Sequence, residues 1–207
     1  MMNTVIFDIG MVLVDFCWRE YLTSLGFPED VISNIGEKIV NSDIWEDMDK
    51  GIVEDEELLE RMVARAPENS KEVTRLFQTI GKVVKMYDYT PVWIRCLKEK
   101  GCKVYFLSNF PKRVYEQARD GEMAFTNECD GGLLSYKYRM VKPEPEFYQL
   151  LIDTYGINPK EAVFVDDRPV NLEGAKKFGI KTILFQSQKQ VEEELCEMLG
   201  QKGVFVY

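Results

Sequence analysis

The sequence predicts an α/β fold, in which a Rossmann-like, doubly wound parallel sheet forms the core and an all-helical cap is inserted after the first strand. From residue 90 onward, short apolar runs of β-forming residues alternate with amphipathic helical segments, the pattern of parallel strands joined by helices. Residues 16–88 show helical periodicity only. Three predicted strands end in polar side chains, as expected where a parallel sheet binds a ligand.

The chain opens with a predicted buried strand. Val5, Ile6 and Phe7 form an apolar run, and Asp8 follows them directly. Gly10 allows the backbone to turn sharply after this strand. Asp8 is therefore expected at the carboxyl end of a strand, where open α/β sheets bind ligands. Considered alone, the stretch fits an aspartate that only forms a turn or caps a helix equally well.

The segment after this strand is predicted to be helical throughout, with no strand pattern. Apolar residues such as Leu58 and Met62 recur at helical spacing, while Ser42 and Gly51 supply start and stop signals. The predicted helices span 18–25, 28–40, 43–50, 55–65 and 71–87. We therefore expect two domains, a core formed by 1–15 and 89–207 and a helical cap formed by 16–88.

The remainder alternates between helix and strand. Residues 120–141 are less regular, although they contain short apolar pieces. Predicted strands span 103–107, 162–165 and 181–185. Predicted helices span 91–100, 111–119, 146–155, 171–178 and 188–199.

Charge and composition exclude several kinds of function. A net charge of −9 over 207 residues disfavours nucleic-acid binding, because a negative field repels phosphate backbones. The chain contains no histidine, which excludes Ser-His-Asp and Cys-His catalysis and histidine metal sites. Any metal must therefore be held by oxygen atoms, which favours Mg²⁺.

The cysteines and the hydropathy indicate a cytoplasmic protein. The five cysteines form no CxxC pair and are expected to be reduced thiols. No apolar run approaches the length of a membrane span, and no signal peptide is recognisable at the N-terminus. We expect a monomer or weak homodimer that binds no membrane.

Polar groups at three strand ends should meet at one edge of the sheet. They are Asp8, the pair at 108–109 and the pair at 166–167, and Lys142 lies just before a predicted helix. Clustered carboxylates repel one another unless a cation such as Mg²⁺ lies between them. Ser108 and Lys142 could then hold a phosphate that Asp8 attacks. Taken separately, these groups could be a helix cap, a solvated surface lysine and a loop.

Together, these residues resemble the motifs of a known family, the haloacid dehalogenase-like hydrolases. Their order and spacing match over essentially the whole chain, and the helical segment is similar to the small cap of one branch. The finer resemblance, carried by the cap sequence from 42–45 to 49–51 and by the Asp-Asp-Arg-Pro-Val-Asn ending of the fourth motif, is to the sugar-phosphatase branch that includes α-glucose-1-phosphate phosphatases. The four motifs begin at Phe7 (Phe-Asp-Ile-Gly-Met-Val-Leu-Val-Asp), Leu107 (Leu-Ser-Asn), Lys142 (Lys-Pro-Glu-Pro) and Val165 (Val-Asp-Asp-Arg-Pro-Val-Asn).

The resemblance implies a Mg²⁺-dependent phosphatase that acts on a small phosphorylated metabolite, with a sugar phosphate as the expected substrate. Asp8 would attack phosphorus and form an aspartyl-phosphate, and Lys142 would steady the charge on Asp8. The implied Mg²⁺ ligands are Asp8, the Gly10 carbonyl and Asp167. The implied substrate-binding residues are Ser108, Asn109 and Lys142. Asp166 and Asn171 would be supporting groups.

One position departs from the family pattern. Most phosphatases of the family carry a second aspartate two residues after the nucleophile, which serves as general acid and base, and here that position is Gly10. Sugar-1-phosphatase-like members often share this glycine. The glycine at this position also leaves two other functions open. One is a 2-haloacid dehalogenase, which needs neither that acid nor Mg²⁺, and the other is a non-catalytic binding or regulatory protein. In an enzyme adapted to glycine, an aspartate at position 10 is expected to crowd the site.

Several residues of the cap and its borders are candidates for substrate contact. Each has a simpler structural interpretation: Trp45 can belong to the cap's own core with Ile44 and Met48, and the charged residues can form salt bridges. The candidates are Asp15, Trp18, Arg19, Tyr21, Trp45 and Arg168.

Overall fold

The computed structural model of the protein describes residues 2–200 and 203–205. Its strands are β1 (Thr4–Phe7), β2 (Val14–Phe16), β3 (Val84–Met86), β4 (Lys103–Ser108), β5 (Gly131–Leu134), β6 (Ala162–Asp166) and β7 (Lys181–Leu184). Its α-helices are α1 (Trp18–Ser24), α2 (Glu29–Ile35), α3 (Asp43–Lys50), α4 (Asp55–Arg65), α5 (Ser70–Gln78), α6 (Thr90–Glu99), α7 (Lys112–Ala118), α8 (Ser135–Tyr138), α9 (Pro145–Tyr155), α10 (Pro169–Lys176) and α11 (Gln188–Leu199). No helix in these ranges is long and apolar enough to cross a membrane.

Five strands form one parallel sheet in the order β5-β4-β1-β6-β7, which confirms the predicted α/β fold class. Strand β1 lies at the centre, and its Phe7 pairs with Phe106 on one side and Val165 on the other. The residues that follow these three positions therefore lie at the same carboxyl edge. This register brings the predicted polar strand ends next to one another.

Helices cover both faces of the sheet. Alternate strand residues point to opposite faces, so Val5 and Phe7 belong to one buried cluster and Ile6 to the other. The first cluster includes Trp93 of α6, and the second includes Phe147 of α9. Both faces are apolar, which explains why the strands read as continuous hydrophobic runs.

The edge strand β5 lies in the region that the sequence left irregular. Gly131 and Gly132 interrupt the strand pattern of the sequence, because glycine has a low propensity for strands. The structure gives a reason for Gly132: an added Cβ would lie 2.4 Å from the ring of Phe106 on the neighbouring strand. Packing against β4 therefore stabilises this strand, although local propensity disfavours it.

The helical block from α1 to α5 is bracketed by a two-stranded antiparallel ribbon of β2 and β3, which pairs Asp15 with Lys85. The prediction of an uninterrupted helical segment is therefore wrong at its ends. The predicted helix 71–87 is α5, which ends at Gln78 and is followed by a short 3₁₀ turn and then β3. The β-branched residues Val83 and Val84 favour the extended conformation there. The division into a core and a cap stays a prediction.

Two glycines in the left-handed conformation provide a matched test of how the helical block contacts the part of the chain that forms the parallel sheet. Gly51 (φ 64°) ends α3, and an added Cβ would lie 2.7 Å from the Tyr136 carbonyl oxygen; Gly26 (φ 79°) has no atom within 4 Å of that position. Gly26→Ala should lower the free energy of unfolding by about 1–2 kcal/mol through backbone conformation alone. Gly51→Ala should lower it by about a further 1–3 kcal/mol because of overpacking. Urea unfolding measures both, and equal losses would contradict the contact with Tyr136.

Candidate active site

The predicted site residues meet at the carboxyl edge of the sheet, around a cavity of about 170 Å³. Ser108 and Asp166 do not line this cavity; both are buried behind it. The remaining candidates form part of its polar wall. The polar wall consists of Asp8, Gly10, Asp49, Asn109, Lys142, Asp167, Arg168 and Asn171. The apolar wall consists of Met11, Val14, Phe16, Trp45, Val84, Phe110, Pro111 and Val114.

One oxygen of Asp8 is fully occupied and the other is not. Oδ1 accepts hydrogen bonds from the backbone N–H of Ile9 (2.6 Å) and the hydroxyl of Ser108 (2.8 Å), and it pairs with Nζ of Lys142 (2.9 Å). Oδ2 accepts no hydrogen bond from the described residues. Burial raises the pKa of Asp8 to about 7; the charge of Lys142 opposes the rise and that of Asp166 adds to it. The carboxylate is thus fixed through one oxygen, with the second available to a ligand.

Lys142 is buried between two carboxylates and is only 3% exposed, so its interpretation as a solvated surface lysine is wrong. Its Nζ lies 2.9 Å from Oδ1 of Asp8 and 2.7 Å from Oδ2 of Asp166. Burial disfavours its charge, but the two carboxylates outweigh burial and hold the pKa of Lys142 above its ordinary value. Asn109 fixes the lysine backbone, because its side chain accepts from the Lys142 N–H (2.7 Å) and donates to the Lys142 carbonyl (3.0 Å).

Asp166 is fully buried and fully hydrogen-bonded. It accepts from Lys142 Nζ (2.7 Å), from the Arg168 N–H (2.8 Å) and from the side-chain amide of Asn171 (3.0 Å to each oxygen). Because these donors occupy its lone pairs, Asp166 anchors Lys142 and leaves little capacity for a further ligand. The interpretation of residues 166–167 as a plain loop is therefore wrong for Asp166, which ends β6.

The acidic residues here fit a hard cation. Oxygen atoms of Asp8, Asp166 and Asp167 lie within 4.8 Å of one another. Apart from its own backbone N–H, the Asp167 carboxylate has no hydrogen-bond or ion-pair partner in residues 2–200 and 203–205, so it has capacity for a ligand, in contrast to Asp166. Burial, and after it the charge of Asp166, raise the pKa of Asp167. An all-oxygen set is what Mg²⁺ prefers.

Asp49 is a polar-wall residue that sequence reasoning did not select. It lies on α3, its Oδ1 is buried, and that atom has no hydrogen-bond partner in the described part of the chain. Burial, and after it the negative charge of Asp8, raise the pKa of Asp49 to about 8. Although Asp49 belongs to the cap sequence that carries the finer resemblance, the sequence gives no signal for its place in the cavity wall, because it follows no strand and belongs to a helix with many charged residues.

The candidate residues of the helical block divide into two groups. Trp45 lines the apolar wall and packs against Phe16 with ring centroids 5.0 Å apart, while Ile44 and Met48 are buried as expected of a helical core. Trp18 and Tyr21 do not line the cavity.

The charged candidates divide in the same way. Arg168 lines the polar wall. Arg19 forms an exposed ion pair with Glu29 (3.1 Å), and Asp15 accepts a long hydrogen bond from the Tyr87 hydroxyl (3.5 Å). Neither Arg19 nor Asp15 reaches the cavity, so their structural interpretation is favoured.

Comparison with known proteins gives a consistent family assignment. The model of one family, described as haloacid dehalogenase-like hydrolase, matches residues 2–179. Among curated proteins, the sesquiterpene phosphatase astK of Aspergillus oryzae is 27% identical over 197 residues, which cover 94% of this chain and 95% of that protein.

Solved structures agree on the fold. One is the HAD family enzyme bt-2542 of Bacteroides thetaiotaomicron in complex with magnesium and inorganic phosphate (TM-score 0.71, 23% identity, 91% of this chain and 96% of that chain). Another is the L-2-haloacid dehalogenase of Xanthobacter autotrophicus (TM-score 0.66, 20% identity, 95% and 83%). At these identities the similarity establishes the fold alone.

Removing the central ammonium should be strongly destabilising. Lys142→Met leaves the carboxylates of Asp8 and Asp166 buried without their shared cation, so the free energy of unfolding should fall by about 3–5 kcal/mol. Adding Asp166→Asn removes one of the two charges and should recover part of the loss. Urea unfolding near neutral pH measures both variants; a loss below about 1 kcal/mol in Lys142→Met would contradict this arrangement.

The stability of the metal-free protein should depend on Asp49 and pH. Folded Asp49 keeps its proton up to about pH 8, while in the unfolded chain the residue loses it near the ordinary aspartate pKa of 3.8. Between these values the folded state binds more protons, so the free energy of unfolding falls as pH rises, by at most about 1.4 kcal/mol per unit. Asp49→Asn cannot titrate and should show a shallower fall. Unfolding in EDTA at a series of pH values measures this, and parallel curves would contradict the raised pKa.

Proposed function

The chain belongs to the haloacid dehalogenase-like hydrolases, and from this premise we propose that it is a Mg²⁺-dependent phosphatase. It would hydrolyse the phosphate monoester of a small metabolite through an aspartyl-phosphate on Asp8. The observation that carries the proposal is the asymmetry of Asp8: three donors hold Oδ1, while Oδ2 accepts no hydrogen bond beside an open cavity. This is the arrangement that a positioned nucleophile requires.

Lys142 and Ser108 would act through their protons. An ammonium group has three donors, and two of those of Lys142 point to Asp8 and Asp166, which leaves the third for a phosphoryl oxygen. Ser108 has a single donor, and it is committed to Asp8. We therefore assign Ser108 first to orienting the nucleophile; it would hold phosphate only after its hydroxyl rotates. Asn109 would act indirectly, by fixing the backbone of Lys142.

Asp8, the Gly10 carbonyl and Asp167 would hold Mg²⁺, with Asp166 and Asn171 as supporting groups. When bound, the ion would neutralise charge on the phosphoryl oxygens and reduce the repulsion between the phosphate and Asp8. The helical block at 16–88 would serve as the cap: Trp45 and Asp49 come from its helix α3 and line the cavity. Exclusion of bulk water by these residues would protect the aspartyl-phosphate.

Two classes of substrate alcohol are compatible with the proposal. The resemblance to sugar phosphatases favours a sugar or polyol, whose hydroxyl groups would need polar partners. The apolar wall, with Phe16, Trp45 and Phe110, favours an apolar alcohol. The name of the relative from Aspergillus oryzae agrees with the second class. Both classes therefore belong in a substrate panel.

Phosphate release from sugar, polyol, prenyl and aryl phosphates tests the proposal. Turnover should require Mg²⁺, stop in EDTA and fall below detection in Asp8→Asn, because the amide cannot attack phosphorus. The exposed Asp153→Asn is a matched control that should retain full activity. Activity on 2-haloacids without Mg²⁺ would favour a dehalogenase, and folded protein inactive on every substrate would favour a binding or regulatory role.

Metal binding has a readout that is independent of turnover. Mg²⁺ should raise the melting temperature of the wild-type protein, since a ligand that binds the folded state stabilises it by about 2.7 kcal/mol at a concentration of 100 Kd. Asp167→Asn should lose most of this shift, because it removes one carboxylate ligand. An unchanged shift in that variant would exclude Asp167 from the metal site.

A further inference from the structure

The proposed reaction lacks a proton donor in the expected place. Gly10 has no side chain, and an added Cβ there would have no atom within 4 Å, so the position opens onto free space. The expectation that an aspartate at position 10 would crowd the site is therefore not met at the Cβ. An alkoxide leaving group nevertheless needs a proton, and the water that later attacks the aspartyl-phosphate must lose one.

Asp49 is the remaining carboxyl group of the polar wall. Asp8 is assigned as the nucleophile and Asp167 as a metal ligand, whereas the carboxyl group of Asp49 takes no part in the chemical steps described above. Its Oδ1 is buried without a hydrogen-bond partner among the described residues. A buried polar atom without a partner costs about 1–3 kcal/mol, which a folded protein normally avoids unless a ligand or a reaction uses the atom.

Three contacts hold the C-terminal end of α3 against the sheet domain and so fix Asp49 relative to Asp8. The Asp49 carbonyl accepts a hydrogen bond from the Ser135 hydroxyl. Lys50 forms an ion pair with Glu144 (2.8 Å), on the segment that follows Lys142. Gly51 lies directly against the Tyr136 backbone. Such anchoring at the backbone of a residue and at the two residues after it is what a group acting at a fixed distance requires.

We propose that Asp49 is the general acid and base that Gly10 does not provide, an inference that rests on the phosphatase function proposed above. In the first step Oδ2 of Asp8 bonds to phosphorus, the bond from phosphorus to the alcohol oxygen breaks, and the Asp49 carboxyl gives its proton to that oxygen. In the second step the Asp49 carboxylate takes a proton from water. The water oxygen bonds to phosphorus, the bond to Asp8 breaks, and phosphate leaves with Asp49 protonated again.

The electrostatic surroundings of Asp49 suit this cycle. The charged groups that act on it are Asp8 and Glu46, which favour the protonated form, and Lys142 and Arg168, which favour the ionised form. Burial, the largest cause, together with these charges raises its pKa to about 8 in the metal-free protein, which favours the protonated carboxyl near neutral pH. A general acid works best when its pKa lies near the working pH.

Leaving groups that differ in their need for a proton test this assignment. In Asp49→Asn, single-turnover cleavage of an alkyl phosphate should fall about 10²–10⁴-fold. p-Nitrophenyl phosphate should still phosphorylate Asp8 within about tenfold of the wild-type rate, because p-nitrophenolate leaves without a proton. Hydrolysis of the aspartyl-phosphate should then be slow for lack of a base, giving a burst of one p-nitrophenolate per enzyme.

The controls separate this proposal from the phosphatase proposal and from a folding defect. Asp43→Asn removes an exposed carboxylate from the same helix and should behave as wild type. Gly10→Asp added to Asp49→Asn should restore part of the alkyl phosphate activity, which a misfolded variant could not show. Equal losses for the two leaving groups, without a burst, would overturn the role of Asp49 while leaving the phosphatase intact. A wild-type protein inactive on every phosphate would instead refute the phosphatase.

Discussion

The arrangement of this site depends on the ammonium group of Lys142, which is buried between the carboxylates of Asp8 and Asp166. A buried cation requires paired anions, and two buried carboxylates require a cation between them, so each group holds the others in place. Asp8 lies at the end of the central strand and Asp166 at the end of its neighbour, which makes the triad a continuation of the sheet register. The orientation of Asp8, with Oδ1 occupied and Oδ2 available, follows from this pairing.

The site lies where two parts of the chain meet, and the two parts contribute different chemistry. The carboxyl edge of the sheet contributes charged and hydrogen-bonding groups held by a dense network, and the segment after β4 adds Phe110, Pro111 and Val114 to the apolar wall. The helix α3 and the ribbon of β2 and β3 contribute Trp45, Phe16 and Val84 to the apolar wall, together with Asp49. Under the proposed function, a phosphate and a cation would bind at the first surface and the alcohol portion of a substrate at the second. Differences between relatives in substrate choice are expected in the second surface.

Local patterns were sufficient to predict most of the fold and the polar strand ends. An apolar run followed by an aspartate, as at Asp8, contains both the strand and the polar group at its carboxyl end within a few residues. The predictions failed where the deciding contacts are distant in sequence. Strand β5 forms despite two glycines because Gly132 packs on Phe106, and β3 replaces the end of a predicted helix because it pairs with β2. Local propensity contains no information about a pairing or packing partner that lies far along the chain.

The sequence by itself determined the parallel α/β class, the family and the set of polar groups at the sheet edge, because strand periodicity and motif order are properties of neighbouring residues. Only the tertiary structure decided which of these groups are bound to one another and which remain available. It made Lys142 a buried ion-pair partner, Asp166 a saturated anchor and Asp49 a cavity residue. Burial and hydrogen-bond partners depend on packing between distant segments, and these two properties set the protonation state and reach of each side chain.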